Sequence, residues 1–421
     1  MSGWLSDLLE RRREQFPWYE EWSARRGVTI GETSTLEELP LITAPVLEAY
    51  YYTDSNPLAG QEGLNRYRTS GTSSGRRKTI FYSPADEEAY LRVKLDVYRT
   101  ILGGEDGITI PYRTALSDVG TGHAEATAVA VFRELGMEVR SLSFQEPIER
   151  HIERLVAFRP EVLYTMPSIL ERILLASPET ASAYGIRHVI LVGEIASPGW
   201  MQRAAERLGI TADNITDTYG SIEIGTIAYL DHRLGRYLFT EGIVAEGIGA
   251  EQISWEFDRL TDPLEQVLVL TSTVRETFPA LRFVTYDVVR DLRPVEVDGV
   301  QRMSFQSIAK RIGAELKHGE KISLYDIEEA VFRHVEGAHI RVVVQGRALG
   351  VHVDVPGARL EPALLERIRD EIEHRIPEIG MMIRAGILDR IRLYSGKIDD
   401  TQFHGAVKSK KIIYGLKEGS E

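Results

Sequence analysis

The chain has 421 residues, 43% hydrophobic and 27% charged, which excludes a disordered or low-complexity chain. At roughly 150 residues per domain, that length predicts two or three domains, or a large domain with a smaller companion. Lys and Arg number 50 against 63 Asp and Glu, and the resulting charge of −13 excludes a global basic field for nucleic acid. Cys is absent, which excludes a disulfide framework, a thiolate nucleophile and any Cys-ligated metal.

The first twenty-five residues read as a helix, with Trp4, Leu5, Leu8, Leu9, Phe16 and Trp18 at helical spacing. Met1–Phe16 lacks the apolar core and cleavage site of a signal peptide. No apolar stretch approaches the ~18 residues of a membrane span. A cytoplasmic protein without a membrane partner is expected. Thr33–Ala49 mixes capping Ser and Thr with two prolines and reads as short helices and turns.

From about Gly103 short apolar runs alternate with helical patterns. Gly107–Pro111, Glu138–Ser141, Val162–Thr165 and His188–Val192 read as strands. Ala124–Leu135, Pro147–Ala157, Ser168–Leu175 and Pro198–Leu208 read as helices. The alternation predicts an α/β architecture with a largely parallel sheet. After about Thr226 the runs Arg236–Val244, Gln266–Thr273 and Leu281–Val289 have little helix between them, predicting a β-rich subdomain. Beyond Arg302, helices over Ile322–Val335 and Pro362–Arg375 flank a strand pair at His339–Gln345 and Gly350–Val355. That tail has the size of a small α+β domain.

Five segments carry chemistry. Tyr67–Thr79, YRTSGTSSGRRKT, sets Gly71 and Gly75 among the hydroxyls of Thr69, Ser70, Thr72, Ser73 and Ser74. Arg76, Arg77 and Lys78 follow at once. Glycines that turn amides toward an anion, hydroxyl donors and cations are what a phosphate-cradling loop needs. On composition alone a Ser/Gly-rich surface loop accounts for it equally well. A P-loop fails on spacing, because Arg76 stands where it needs Gly. Thr216–Gly225, TDTYGSIEIG, brings an aromatic ring, a glycine and a carboxylate within five residues, a set that can stack on a base and hold magnesium. Asp287 closes a β-rich run, where a carboxylate can accept two ribose hydroxyls, although a solvated strand-end Asp is the simpler reading. Gly319–Glu329 reads as a turn, a strand and a helix start, and Gly405–Tyr414, GAVKSKKIIY, is a basic patch near the end.

In this order the segments resemble the adenylate-forming superfamily of acyl-CoA synthetases, peptide-synthetase adenylation domains and luciferases. Within it the chain is similar to the phenylacetate–CoA ligase and coenzyme F390 synthetase branch. The resemblance runs from about Leu36 to Tyr414, through TSGTSSGRRK, VLYTMPSIL, ILVGEIASPGWM, TYGSIEIG, LRFVTYDVV, HGEKISLYDIEEAV and VKSKKI. It implies an N-terminal unit over 1–304, of α/β layers with the β-rich subdomain, that binds ATP and the acid. It also implies a small mobile α+β unit over 305–421 carrying the catalytic lysine.

The resemblance also assigns residues. Thr69, Ser70, Gly71, Thr72, Ser73, Ser74 and Gly75, with Lys78, hold phosphates, and Thr72 is counted with the catalytic groups. Tyr219 flanks the adenine, with Gly220 and Ser221 near the α-phosphate and Glu194 on the nucleotide side. Glu223 holds Mg²⁺, Asp287 binds ribose, and Lys408 bridges the acid and the α-phosphate. His123, Met166, Pro167, Ser168 and Gly193 lie near the acyl pocket, to which Tyr112 is added as an aromatic wall. Asp118 is a candidate, by position alone, for an α-amino group.

Several positions depart from the branch. Ser74 replaces a Gly, and the Pro before the loop lysine is missing. The hinge string is IAKRIGAE, where counting back from Gly319 puts Lys310, not Arg311, at the Arg position. Val407 replaces the Gly before Lys408, Lys397 has the more typical Gly before it, and Lys410 and Lys411 stay open as alternatives. The implied reaction is ATP-dependent formation of an acyl adenylate from an aryl or other small carboxylic acid, then transfer to a thiol, CoA first. A carrier-protein phosphopantetheine thiol, an amine acceptor and a non-catalytic nucleotide-binding relative are the alternatives. A homodimer is left open. GTGHAEA at Gly120–Ala126 suggests a general nucleotide-binding turn but lacks the third small residue.

Overall fold

The computed structural model describes residues 3–30, 34–68, 78–104, 109–119, 123–177, 181–255, 257–312, 324–335, 338–345, 347–355, 357–384, 386, 388–396 and 412–414. The fold is α/β, with a large sheet-rich N-terminal portion and a small C-terminal one. Its centre is a nine-stranded sheet. Five of those strands, Ile215–Ser221, His188–Val192, Val162–Thr165, Thr114–Ser117 and Glu138–Ser141, lie parallel in that spatial order. The chain runs from Thr114–Ser117 outward to Glu138–Ser141, then returns to Val162–Thr165 on the other side. Strand order therefore reverses at Thr114–Ser117, and ligands of open α/β sheets bind outside the carboxyl ends at such a reversal. Antiparallel strands Gly225–Asp231, Arg236–Phe239, Val300–Phe305 and Arg293–Val297 complete the sheet.

The helices follow local signals. Ser197 accepts from Trp200 N at 3.3 Å, Pro198 stands in the first turn, and Gly209 ends the helix in the left-handed conformation. Ser83 and Asp86 form a reciprocal capping box at the start of Pro84–Leu102. Two expectations change. The N-terminal helix is two helices, Gly3–Gln15 and Trp18–Arg25, because Pro17 brings no N–H between them. Thr109–Pro111 is not a strand; the strand is Thr114–Ser117, beyond a proline that cannot donate to a ladder.

A second, antiparallel sheet orders Ile243–Ile248, Glu265–Ser272, Phe283–Arg290 and Ser307–Arg311. Arg236–Val244, read as one run, is thus split between two sheets around Thr240–Gly242. Hydrogen bonding of the N-terminal portion continues to Arg311. In the C-terminal portion, Ile327 to Ile391 form a hydrophobic cluster of their own. It meets the rest through Arg290, which donates twice to Asp326 at 2.7 Å, and through His339 Nδ1, 2.6 Å from Glu171. No described helix is long and apolar enough to cross a membrane.

Candidate active site

The carboxyl ends of the parallel strands collect many of the expected residues. Val162–Thr165 is followed by Met166, Pro167 and Ser168, all buried, at a helix start. His188–Val192 is followed by Gly193, whose φ of +80° turns the chain so that Glu194 reaches that same helix start. Glu194 accepts from Ser168 N and from Ser168 Oγ, both at 2.8 Å. Two segments separated in sequence are joined by one carboxylate, which also complements the positive end of the helix.

Ile215–Ser221 carries the aromatic–glycine–carboxylate segment. Tyr219 donates to Asp287 Oδ2 at 2.6 Å, so the residues expected at adenine and ribose are in direct contact. Burial first, then the Asp287 charge, pushes the Tyr219 phenol well above its ordinary pKa. A Cβ on Gly220 would lie 2.7 Å from Gly225 O, so only glycine permits this bulged pairing. Ser221 Oγ accepts from Ile224 N at 3.3 Å and closes the turn. Glu223, within it, gives its backbone oxygen to Arg275 Nε at 3.0 Å. Its carboxylate has no hydrogen bond or ion pair among the described residues, which suits a metal ligand.

Asp287 reaches the site because Phe283–Arg290 is irregular. Its pairing shifts register against both neighbours, and Tyr286 has φ +65°. Such bulges re-aim a side chain. Asp287 pairs in register with Arg311, whose Nη1 lies 3.7 Å from Asp287 Oδ1. Counting from Gly319 favours Lys310. The structure corrects that: Lys310 is buried and its Nζ lies 2.8 Å from Glu265 Oε2, so Arg311 is the cation beside Asp287. Alternation along the strand separates the two faces.

The Ser/Thr/Gly loop joins two antiparallel strands, Asn65–Arg68 and Thr79–Tyr82. Thr69, Ser70, Gly71, Thr72, Ser73, Ser74, Gly75, Arg76 and Arg77 themselves lie outside the described residues, as do Lys397, Val407, Lys408, Lys410 and Lys411. Lys78 is described, 2.8 Å from Glu48 and over the Tyr52 ring. His123 is buried beside Tyr67, Tyr82 and Tyr90, the first two of which flank that loop.

Two expected residues are not brought in. Tyr112 precedes its strand and packs against His188, the first residue of a neighbouring strand, with ring centroids 6.0 Å apart. It therefore stands at the amino edge, opposite Met166 and Gly193. Asp118 is fully buried and paired closely with His151 Nδ1. Burial raises its pKa, and His151 already takes up its Oδ1.

Residues missed in the sequence hold the site from behind. Arg275 donates to Glu223 O, Phe81 O and Thr277 Oγ1 and pairs with buried Asp86. Its guanidinium lies 3.7 Å from the Tyr82 ring centroid. Asp86 also accepts from Glu276 N at 2.6 Å and Thr277 N at 3.1 Å. Asp217, two residues before Tyr219, is buried with Oδ2 accepting from Tyr237 at 2.5 Å and Oδ1 without a hydrogen-bond partner among the described residues. Burial raises its pKa to about 7.

The comparisons with known proteins decide the family. Over 396 residues the chain is 33% identical to fumarate–(S)-2,3-diaminopropanoate ligase of Enterobacter agglomerans, covering 94% of this chain and 95% of that protein. The chain belongs to that family of adenylate-forming ligases. A family profile described as the fumarate–diaminopropanoate ligase C-terminal domain matches residues 317–399 of the ligase. Its fold is also that of 2-hydroxyisobutyryl-CoA ligase bound to its acyl adenylate, with TM-score 0.72 and 18% identity over 98% of this chain and 88% of that one. The amide bond synthetase McbA of Marinactinospora thermotolerans matches at TM-score 0.50 and 17% identity, over 87% of this chain and 68% of that one.

Proposed function

We propose that this ligase activates a small carboxylic acid as its acyl adenylate and transfers the acyl group to an amine, forming an amide. The observation that carries the reading is near full-length similarity to a ligase named for an acid and an amine, joined to the contact of Tyr219 with Asp287. It favours the amine alternative over the CoA thiol implied by the sequence resemblance. A short dicarboxylic acid such as fumarate and a diamino acid such as 2,3-diaminopropanoate are the first substrates to try.

In the first step a carboxylate oxygen attacks the α-phosphorus of ATP and pyrophosphate leaves. In the second the amine attacks the acyl carbon and AMP leaves. Asp287 receives the ribose hydroxyls, with Arg311 beside it, and Tyr219 fixes the carboxylate's orientation while its ring borders the base. Thr69–Gly75 and Lys78 hold the phosphates. Glu223 fits as the magnesium ligand, and the ion when bound supplies positive charge against the polyphosphate. Lys408, on the C-terminal portion, neutralises charge between the acid and the α-phosphate. A hinge after the N-terminal portion serves both steps.

The test is acid-dependent exchange of labelled pyrophosphate into ATP, followed by mass analysis of products with amine or CoA. Exchange with a short dicarboxylic acid and an amide product are expected. No exchange with any of aryl, amino, aliphatic and dicarboxylic acids, or a CoA thioester formed in preference to the amide, overturns the reading.

A further inference from the structure

His123 opens the helix after the Thr114–Ser117 strand, and its ring lies inside a cage of tyrosines. Ring centroids of Tyr67, Tyr82 and Tyr90 lie 4.4, 4.6 and 4.5 Å away. On one side Nδ1 lies 3.4 Å from Glu87 Oε2. Glu87 is itself fixed, because its Oε1 accepts from Tyr67 at 2.7 Å and from Asn65 Nδ2 at 2.9 Å. On the other side Nε2 is buried with no hydrogen-bond partner among the described residues.

That orphan asks for an explanation, since an unmet buried polar atom is destabilising. Burial lowers the His123 pKa to about 4, with Glu87 opposing and the buried Lys94 adding to the effect. The imidazole is therefore neutral near pH 7. Glu87 on the Nδ1 side favours the tautomer protonated there, which leaves a lone pair on Nε2. An atom of that kind accepts from an N–H and repels a carboxylate.

The cage also touches the turn that carries Tyr219 and Glu223. Tyr82 donates to Ile222 O at 2.8 Å, and Tyr90 lies so close to Gly225 that a Cβ there would meet its ring at 2.8 Å. Tyr67, Tyr90 and Glu87 are half-buried while His123 is only 6% exposed, so a ligand reaches Nε2 when one of these cage side chains moves.

We infer that His123 Nε2, with Glu87 behind it, receives the acceptor amine. The inference rests on the acid–amine reading above. The amine nitrogen bonds to the acyl carbon, and the bond from that carbon to the phosphate oxygen breaks. AMP leaves with the electron pair, and one amine proton is released to solvent. His123 accepts a hydrogen bond from the amine and aims it; it takes no proton.

The experiment separates the half-reactions in the full-length ligase. His123→Phe keeps the ring packing and deletes Nε2, and Glu87→Gln keeps shape and removes charge. Each variant is assayed for acid-dependent pyrophosphate exchange without amine and for amide formation across amine concentrations, with thermal unfolding alongside. For His123→Phe, the amide-to-exchange ratio at low amine is expected to fall about tenfold or more, through KM for the amine. Glu87→Gln is expected to shift it the same way, less, and carries the test should His123→Phe not fold. A parallel fall in both half-reactions, an unchanged amine KM, or a raised KM for the acid overturns the inference. Absence of exchange in the unsubstituted ligase instead overturns the acid-activation reading, so the two failures are distinct.

Discussion

Asp86 and Asp287 are two carboxylates linked to the Tyr219–Glu223 segment, one through Arg275 and one through Tyr219, and they are treated in opposite ways. Asp86 is wholly buried and held by five donors: Ser83 N, Glu276 N, Thr277 N, Thr277 Oγ1 and Arg275 all donate to it. Those donors and the Arg275 charge hold its pKa below the ordinary carboxylate value, although burial works the other way. Asp287 is partly exposed, with Tyr219 on one oxygen and Arg311 at 3.7 Å from the other. A buried carboxylate already held by five donors serves structure. One with acceptor capacity left can also receive a ligand.

The comparison breaks first on stability. Removing one partner of a buried ion pair strands the other, so Asp86→Ala should cost about 3–5 kcal/mol in urea unfolding. Because its folded pKa is depressed, Asp86 stabilises the fold above its unfolded pKa, and that stability is lost as pH falls through the lower folded value. The variant should therefore lose acid sensitivity along with stability. If Asp86→Ala unfolds at the normal urea concentration, the distinction drawn here is wrong.

That largest effect was also the least legible in sequence. Arg275 lies 189 positions from Asp86, inside TSTVRETFP, and nothing local marks its guanidinium as buried rather than solvated. Pro198–Leu208, by contrast, carries its start in Ser197 and its stop in Gly209, so its bounds were readable. The ordered motifs gave Tyr219, Glu223 and Asp287, but not the bulge at Tyr286 that turns Asp287 toward Tyr219. Counting could not separate Lys310 from Arg311, because strand alternation and a register shift decide which face each takes. Tyr112 is a candidate by residue type and Asp118 by position alone, and neither says at which end of a strand, or against which buried ring, a side chain lies.

Asp287→Ala should show the opposite balance. Unfolding free energy should change by about 1 kcal/mol or less, while affinity for ATP, measured by calorimetry, falls about 10–100-fold through lost charged hydrogen bonds. A large stability loss with unchanged ATP binding would make Asp287 a second Asp86.

Asp217 lies between these cases, buried like Asp86 but only half satisfied. Its folded pKa, raised to about 7 by burial, exceeds the unfolded value. The folded state therefore holds the proton more tightly. Its contribution is fully present below the unfolded pKa near 4 and is lost as pH rises through about 7. Asp217→Asn should remove that slope and gain roughly 2 kcal/mol relative to the unsubstituted ligase between pH 5 and pH 8. Parallel stability curves for the two would show that Asp217 stays ionised.

The smallest effect sharpens the comparison most. Tyr219→Phe deletes one hydrogen bond to Asp287 and keeps the ring, so ATP affinity should fall about fivefold, the worth of roughly 1 kcal/mol. If the phenol acts only by orienting Asp287, the same change should have no further effect once Asp287 is Ala. A double-mutant cycle measures this directly. Full coupling means that the ring borders the base passively while the hydroxyl serves the carboxylate. Additive losses mean that the hydroxyl meets the nucleotide itself, and Asp287 must then be oriented by Arg311 and the bulged strand alone.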